Sequence, residues 1–328
     1  VDDLSGHLGG LLWAFRFTEA RAYPIQTLDD AVAPLADQDW RWLHFPLGDV
    51  RARALLAQIP ELPGGFHALV EELEDRLQVH DEGRWTFGVL PDLERDLAGK
   101  PLGAGRLYFA TDGEWLITAR LHALRAVDDV RRQTEQGARL QSPVAAVAAL
   151  LERFIEIVEA RLEHLADRLD EVEDLVLDGP SDLDGPRLGP FRQELSRHRR
   201  EFQALRNALI RTCSGRDGAK GRMAEALSPL IAPVNDLDRE AADLQERARL
   251  LHEEIDTLIT SATNRSMRAL TVISTLLIPP TVVVGAFGMN LPGMPFANSR
   301  GGFALATGLC LAVVAAAWAL LRRLRVLP

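Results

Sequence analysis

Between Ser261 and Pro328 the chain has no aspartate and no glutamate, and its charges there are six arginines. Val1 to Thr260 holds all 47 acidic residues and the other 31 basic ones, a balance of −16 against +6 for the tail. The acidic front speaks against nucleic acid as a partner, because phosphates demand a positive footprint, and it suits cations. Cysteine is nearly absent: Cys213 and Cys310 fit neither a disulfide framework nor a paired-cysteine zinc site. The eight histidines, His7, His44, His67, His80, His122, His164, His198 and His252, form no spacing that puts two ligands on one helical face. A phosphate-cradling glycine loop and a recognisable nucleophile-and-base motif are lacking too, so no enzyme and no cofactor are expected. The first residues show no basic stretch leading into an apolar run and a small-residue cleavage site. No signal peptide is therefore expected, and the front part is expected to stay cytoplasmic.

What the tail does have is two uncharged stretches, Ala269 to Phe287 and Gly301 to Leu321, of nineteen and twenty-one residues. A bilayer core needs about 20 helical residues to cross. Two such stretches about a dozen residues apart make a hairpin. Arg265 and Arg268 stand before the first, and Arg322, Arg323 and Arg325 after the second, so the positive-inside rule puts both outer ends in the cytoplasm. Arg300, in the outward loop, is a minor vote the other way. Pro279 and Pro280 remove two backbone donors from the first span, and Ser274 and Thr275 are placed to help the freed carbonyls.

Ahead of the hairpin, residues 11 to 120 alternate strand-like and helix-like signals. Leu12 to Phe17, Trp40 to Phe45, Trp85 to Val89 and Arg106 to Ile117 are rich in aromatic and β-branched residues, with Asp112-Gly113 reading as a hairpin turn. Leu47 to Ile59 and Phe66 to Leu77 read as helices, the second opening after Pro63-Gly64-Gly65. From Pro143 on, strand signals vanish: Val144 to Leu177, Pro190 to Thr212, and a stretch from Met223 into the first span are helical, with breaks around Gly179 to Pro186 and Ser214 to Gly221. The expected fold is an α+β membrane protein: an α/β domain (1–141), a helical region (142–222), a stalk (223–268) continuous with the first span (269–287), an outer loop (288–300), a second span (301–321) and a basic tail (322–328).

Two stripes run along that long helix. Val234, Leu237, Ala241, Leu244, Ala248, Leu251, Ile255 and Leu258 recur at spacings of three and four, a packing seam that continues through Ala262, Arg265, Ala269, Val272 and Leu276. Pro229 and Pro233 are expected near the helix start. Two positions along runs a second stripe, Thr260, Asn264, Met267, Thr271, Ser274, Ile278, Thr281, Gly285 and Gly288, mostly small, hydroxylated or amide-bearing. In lipid such groups want partners. Close helix packing through small residues is one reading, and the polar wall of a pore shared by a symmetric oligomer is the other. Glu253, Glu254 and Asp256, just before the stripe, either ring the mouth of that pore or form a solvated coiled-coil face.

The first span closes in Gly285-Ala286-Phe287-Gly288-Met289-Asn290, followed by Leu291-Pro292-Gly293-Met294-Pro295-Phe296. A Gly-Met-Asn tripeptide at the end of the first of two C-terminal spans, behind a helical stalk and an acidic α/β domain, resembles the CorA superfamily of divalent-cation transporters. The likeness is strong over about residues 230 to 328 and architectural before that. Asn264-Arg265-Ser266-Met267, Pro279-Pro280-Thr281 and the Pro-Gly-Met-Pro loop look closest to the ZntB-like zinc-transporter branch. Members of the magnesium branch usually carry Tyr where Phe287 stands and acidic residues in the outer loop. The resemblance implies a homopentamer in a bacterial-type inner membrane, both termini cytoplasmic, its first-span helices around a central pore. It implies a selectivity ring from Gly288, Met289 and Asn290, the Asn290 amides holding a hydrated cation by its water shell. It places Asn264, Met267, Thr271 or Leu270, Ser274, Ile278 and Thr281 along the pore, Ile278 and Met267 as apolar constrictions, and Glu253, Asp256 and Thr260 at the cytoplasmic mouth.

Three functions follow as expectations. The first is zinc transport, to which the resemblance adds coupling to a proton gradient, although the spans offer no acidic proton carrier. The second is a channel for magnesium, cobalt or nickel. The third is a membrane-anchored sensor or scaffold that uses its stalk to dimerise. The expected partners are other copies of the chain, divalent metal ions and the lipid bilayer.

Overall fold

The structure is a computed structural model that describes residues 9–36, 38–59, 61–95, 103–177, 188–214, 221–289 and 301–323. Its chain divides into two compact units, Val1–Glu171 with Arg187–Arg249, and Val172–Pro186 with Leu250–Pro328.

The first unit is built on a seven-stranded sheet with the order β2-β1-β3-β7-β6-β5-β4. Its strands are β1 (Trp13–Thr18), β2 (Arg21–Pro24), β3 (Trp40–Pro46), β4 (Gln78–Glu82), β5 (Trp85–Leu93), β6 (Ala104–Thr111) and β7 (Trp115–Arg120). Neighbours pair antiparallel except β3 with β7, which run parallel at the centre. A parallel pair needs a long crossover. Here it holds α2 (Val50–Leu56), α3 (Gly64–Glu71) and the β4-β5-β6 meander. The Asp112-Gly113 turn forms as read: Gly113 takes φ +106, and the Asp112 carboxylate accepts from the backbone N–H of Glu114 and Trp115 at 3.0 and 2.9 Å. β5 and β4 meet so closely at Gly88 that an added Cβ would run into the Gln78 carbonyl.

Several elements depart from the sequence reading. The edge strands β2 and β4 have no clear apolar alternation. The helix expected over Phe66 to Leu77 stops at Glu71, because Leu73 turns the chain through φ +51. α4 (Arg125–Glu135) has no side-chain cap of its own. Its cap comes from β5, where Asp92, only 2% exposed, accepts from the backbone N–H of Ala126 at 2.8 Å and Val127 at 3.1 Å. A carboxylate at a helix N-terminus satisfies orphan donors and opposes the positive end of the dipole. Burial nevertheless pushes this carboxyl up to about 6, outweighing the backbone hydrogen bonds.

β3 is buried on both faces although it carries Arg41 and His44. Arg41 donates to the carbonyls of Ala31 and Ala33 at the end of α1 (Leu28–Val32) and lies 4.1 Å over the Trp115 ring. His44 stacks on Trp13 with ring centres 4.6 Å apart, and its Nδ1 lies 2.8 Å from Thr118 Oγ1, which also accepts from Trp42 Nε1 at 2.8 Å. Thr118 has one hydroxyl proton and a carbonyl, that of Leu43, to give it to at 3.3 Å. That choice makes Nδ1 the protonated nitrogen and leaves Nε2, which has no partner, as a lone pair instead of an orphaned donor.

Three long helices complete the unit. α5 (Pro143–Leu177) is tied to α6 (Leu188–Cys213) by Arg161 and Glu194 at 2.6 Å, and α6 to α8 (Ile231–Gly288) by Arg199 and Gln245 at 2.8 Å. α5 meets α8 directly through Asp170 and Arg247 at 2.6 Å. Along α8 the predicted seam is buried from Val234 to Ile255, with Val234, Ala241 and Ala248 fully enclosed, but its predicted continuation is not: Leu258 is half-buried and Ala262, Arg265 and Ala269 are exposed. The long helix begins later than predicted. Met223 belongs to a separate short helix, α7 (Arg222–Leu227), and a 3-10 turn containing Pro229 (Ser228–Leu230) separates it from Ile231.

The second unit holds the last turns of α5, the C-terminal part of α8 from Leu250, and α9 (Gly302–Arg323). α8 stays helical through Pro279 and Pro280. At 58 residues it measures about 87 Å at 1.5 Å per residue. Both α8 and α9 contain apolar windows long enough to cross a membrane, and almost none of either window is buried within the chain. That separates them from core helices of a soluble protein.

Burial, reinforced by the Arg120 and Arg131 charges, holds the His44 imidazole well below its usual range, so it is neutral in the folded chain. Below about pH 6.5 the unfolded chain takes up a proton there that the folded chain excludes, so stability falls as pH drops through that value. Asp92 titrates in an overlapping window with the opposite sense, so the comparison must be made against a variant in which Asp92 is unchanged. The melting temperature of H44Q is expected to fall less steeply than that of the native chain between pH 7 and pH 5. Equal slopes would show that the folded state protonates this imidazole.

Candidate ion pathway

Because α8 is unbroken, residues at spacings of three and four share one of its faces over many turns. Glu253, Asp256, Thr260, Asn264, Met267, Thr271, Ser274, Ile278, Thr281, Gly285 and Gly288 follow such a progression. Ser274 is half-buried and the others are exposed. Leu270, 61% exposed, stands three residues after Met267 and four before Ser274, so it borders the same face as Thr271.

The covered side of α8 is a different one. Val272, Leu276, Pro279, Val283 and Ala286 are partly shielded at spacings of four and three, and on α9 the shielded set is Gly302, Ala306, Cys310, Val313, Ala317 and Leu321. Cys310 Sγ lies 3.9 Å from the Pro280 carbonyl oxygen. The shielded residues of α9 are mostly small, the type that suits helix packing in lipid, and they meet a side of α8 other than its stripe. Within one chain, the polar stripe is left uncovered.

Two hydroxyls on that stripe, those of Thr271 and Thr281, have a fixed polarity. Thr271 Oγ1 donates to the Met267 carbonyl at 2.8 Å, and Thr281 Oγ1 to the Leu277 carbonyl at 2.7 Å. Lower down, Thr257 donates to the Glu253 carbonyl at 2.8 Å. With its one proton committed to the helix, each of these hydroxyls presents only lone pairs outward. Such a surface accepts hydrogen bonds from water and bears no formal charge. Ser274 and Thr275, expected to serve the carbonyls freed by the prolines, show no such bond among the described residues, where the back-bonded pair in the span is Thr271 and Thr281.

At the lower end, His252 lies 3.7 Å from Asp256 on the next turn, both half-exposed or more. Among the described residues no three His, Cys, Asp or Glu side chains are close enough together to hold a metal ion. At the upper end Gly288 closes α8, and Met289 follows it, 52% exposed, its N–H directed at the Ala286 carbonyl at 3.4 Å. Asn290 and the outer loop to Arg300 lie outside the described residues.

Comparison with known proteins bears on what such a surface does. A family model described as CorA-like Mg2+ transporter protein matches residues 37–323. The chain is 29% identical over 307 residues to a divalent cation transporter, CmaX, of Pseudomonas aeruginosa, covering 90% of each. It superposes on a structure of full-length CmaX with a TM-score of 0.82 at 25% identity, covering 98% of this chain and 99% of that one. For the CorA magnesium transporter of Methanocaldococcus jannaschii the TM-score is 0.74 at 16% identity, covering 94% and 97%. The cytoplasmic domain of ZntB from Vibrio parahaemolyticus matches 76% of this chain with 98% of its own, with a TM-score of 0.63 at 13% identity, a likeness of fold.

Proposed function

Because the chain belongs to the family of CorA-like Mg2+ transporter proteins, we propose that it carries a hydrated divalent cation through a pore lined by the exposed polar stripe of α8 from several copies. Divalent-cation transport across a membrane is the function of that family, and the sensor or scaffold expectation is set aside with it. What we add is the assembly, the pathway and the cargo. The observation that supports the pathway is the polar stripe of α8, which α9 leaves uncovered along with the apolar side carrying Ile273, Leu277 and Val284, and on which Thr271 and Thr281 are turned into acceptors.

A small dication sheds its water reluctantly, and the protons of its bound water are polarised outward. Acceptor oxygens without charge suit that shell: they bond its protons without the grip of a carboxylate. One amide or hydroxyl per chain is a weak ligand. Five around an axis make a ring, and the homopentamer we propose turns Thr281, Thr271 and Asn264 into successive rings below one of Asn290 amides. Gly288 and Met289 would shape the turn that presents those amides. Ile278 and Met267, 60% and 62% exposed on the same face, would then be apolar collars that close by excluding water. Glu253, Asp256 and Thr260 would meet the ion at the cytoplasmic mouth.

We assign zinc as the cargo. The support is the likeness of the Asn264 to Met267 run, the Pro279-Pro280-Thr281 bend and Phe287 to the zinc branch, and an outer loop without acidic residues. Magnesium is the second reading, favoured by the description of the family model. Coupling to protons would need a carrier outside the spans, which hold no Asp or Glu. Uptake of each metal into proteoliposomes, with and without a pH gradient, decides both points. Magnesium flux that ignores zinc and pH would overturn the zinc assignment.

Asn290→Ala is expected to abolish flux while leaving the oligomer intact, and full flux through that variant would remove the ring. Thr281→Val is expected to slow flux by about fivefold, the worth of one neutral hydrogen bond, while Thr281→Ser keeps the acceptor and most of the rate. Ile278→Ala should raise leak in the absence of stimulus. An unchanged leak would argue against a collar there.

A further inference from the structure

At the end of the hairpin opposite Gly288, both helices carry arginines that the ion pathway does not use. Arg265 and Arg268 continue the face of α8 on which α9 packs, at spacings of three and four from Val272, and they are exposed because α9 does not cover that turn. Arg322 and Arg323 close α9, next to the buried Leu321. The contact between Cys310 and Pro280 fixes the relative height of the two helices. Arg268 stands twelve residues before Pro280 and Arg322 twelve after Cys310. In antiparallel helices each is about 18 Å below that contact, so the arginines share one level.

Among the described residues none of the four makes a hydrogen bond or an ion pair, whereas the arginines of the long helices in the first unit are commonly paired, as Arg161, Arg199 and Arg247 are. Nor is a partner near in sequence. The nearest preceding acid is Asp256, nine residues before Arg265, about 14 Å along the helix and beyond a Debye length of about 8 Å. Four guanidinium groups at the edge of an apolar hairpin repel one another and lack protein anions. Their forked donors match phosphate geometry, and a membrane supplies phosphate at this level.

We propose that Arg265, Arg268, Arg322 and Arg323 form a binding site for the phosphodiester of an anionic phospholipid, seated between the ends of α8 and α9. The site rests on the reading of both helices as membrane spans, though not on the identity of the transported ion. Lying on the α9 side of α8, these arginines stand away from the proposed pore stripe. They draw anions to the lipid side while the stripe attracts the hydrated cation.

The purified chain, reconstituted in phosphatidylcholine doped with phosphatidylglycerol, is stripped with detergent, and the lipid retained per chain is measured by mass spectrometry. Phosphatidylglycerol should be retained over phosphatidylcholine, less so as salt rises, and 10 mM inorganic phosphate or glycerophosphate should not displace it. R265Q/R268Q and R322Q/R323Q should each lower phosphatidylglycerol affinity by about fivefold per arginine, the worth of one basic residue near an anionic surface. The matching Arg→Lys pairs keep the charge and should retain most of the binding. Because these arginines also orient the hairpin, melting temperature and oligomer size are compared first, and if the Gln pairs fail to assemble, the salt dependence and headgroup preference of the native chain decide. No preference for phosphatidylglycerol, or displacement by free phosphate, overturns the site. A chain released from membranes by alkaline carbonate would instead overturn the spans.

Discussion

A hydrocarbon interior offers a backbone N–H or C=O no partner outside its own helix. α8 meets that demand by remaining helical to Gly288, through two consecutive prolines, and the arrangement of the second unit follows from its continuity. An unbroken helix keeps phase. A residue's role is then set by where it falls in a repeat of three and four: one side meets α9, another presents acceptors, and earlier in the chain the buried seam meets the helices of the first unit. A break at Pro279 would lose the register between the hydroxyls below and Gly288 above.

Much of this was legible in the sequence because it is periodic or compositional. The absence of acid after Thr260 marked the hairpin, the seam from Val234 to Ile255 marked a helix that must bury one edge, and the Gly-Met-Asn motif carried the family likeness. Aromatic runs marked β1, β3, β5 and the β6-β7 hairpin. What did not show was structure whose cause lies elsewhere in the chain. The start of α4 is capped by Asp92 from another strand, so no local signal announces it. β4 is an edge strand of Gln-Val-His-Asp-Glu, polar because one side faces no neighbour, and only its register with β5 makes it a strand. The covering of α8 by α9 was equally hidden. The stripe on α8 announced two possible uses, and nothing in it told that the mostly small face of α9 would meet another side of the helix.

Polar groups are handled in opposite ways in the two units. In the sheet, Arg41 and His44 are enclosed, Arg41 donating to the Ala31 and Ala33 carbonyls and His44 meeting Thr118, while Arg41 Nε and the indole N–H groups of Trp13, Trp40 and Trp85 are buried without a hydrogen-bond partner, which makes the packing intolerant of a changed charge. In the hairpin, the Thr271, Thr281 and Thr307 hydroxyls are matched to their own helix, and among the described residues Arg265, Arg268, Arg322 and Arg323 are left unmatched. The first arrangement locks a shape. The second leaves lone pairs and cations for groups the chain does not itself provide.

The length of α8 has a mechanical meaning. Within the second unit α8 runs from Leu250 to Ile278 without a proline, about 42 Å at 1.5 Å per residue, and a tilt of about 4° at Leu250 carries Ile278 through about 3 Å. That is comparable to the width of a water molecule, so a small angular change would be enough to wet or dry the collar proposed at Ile278.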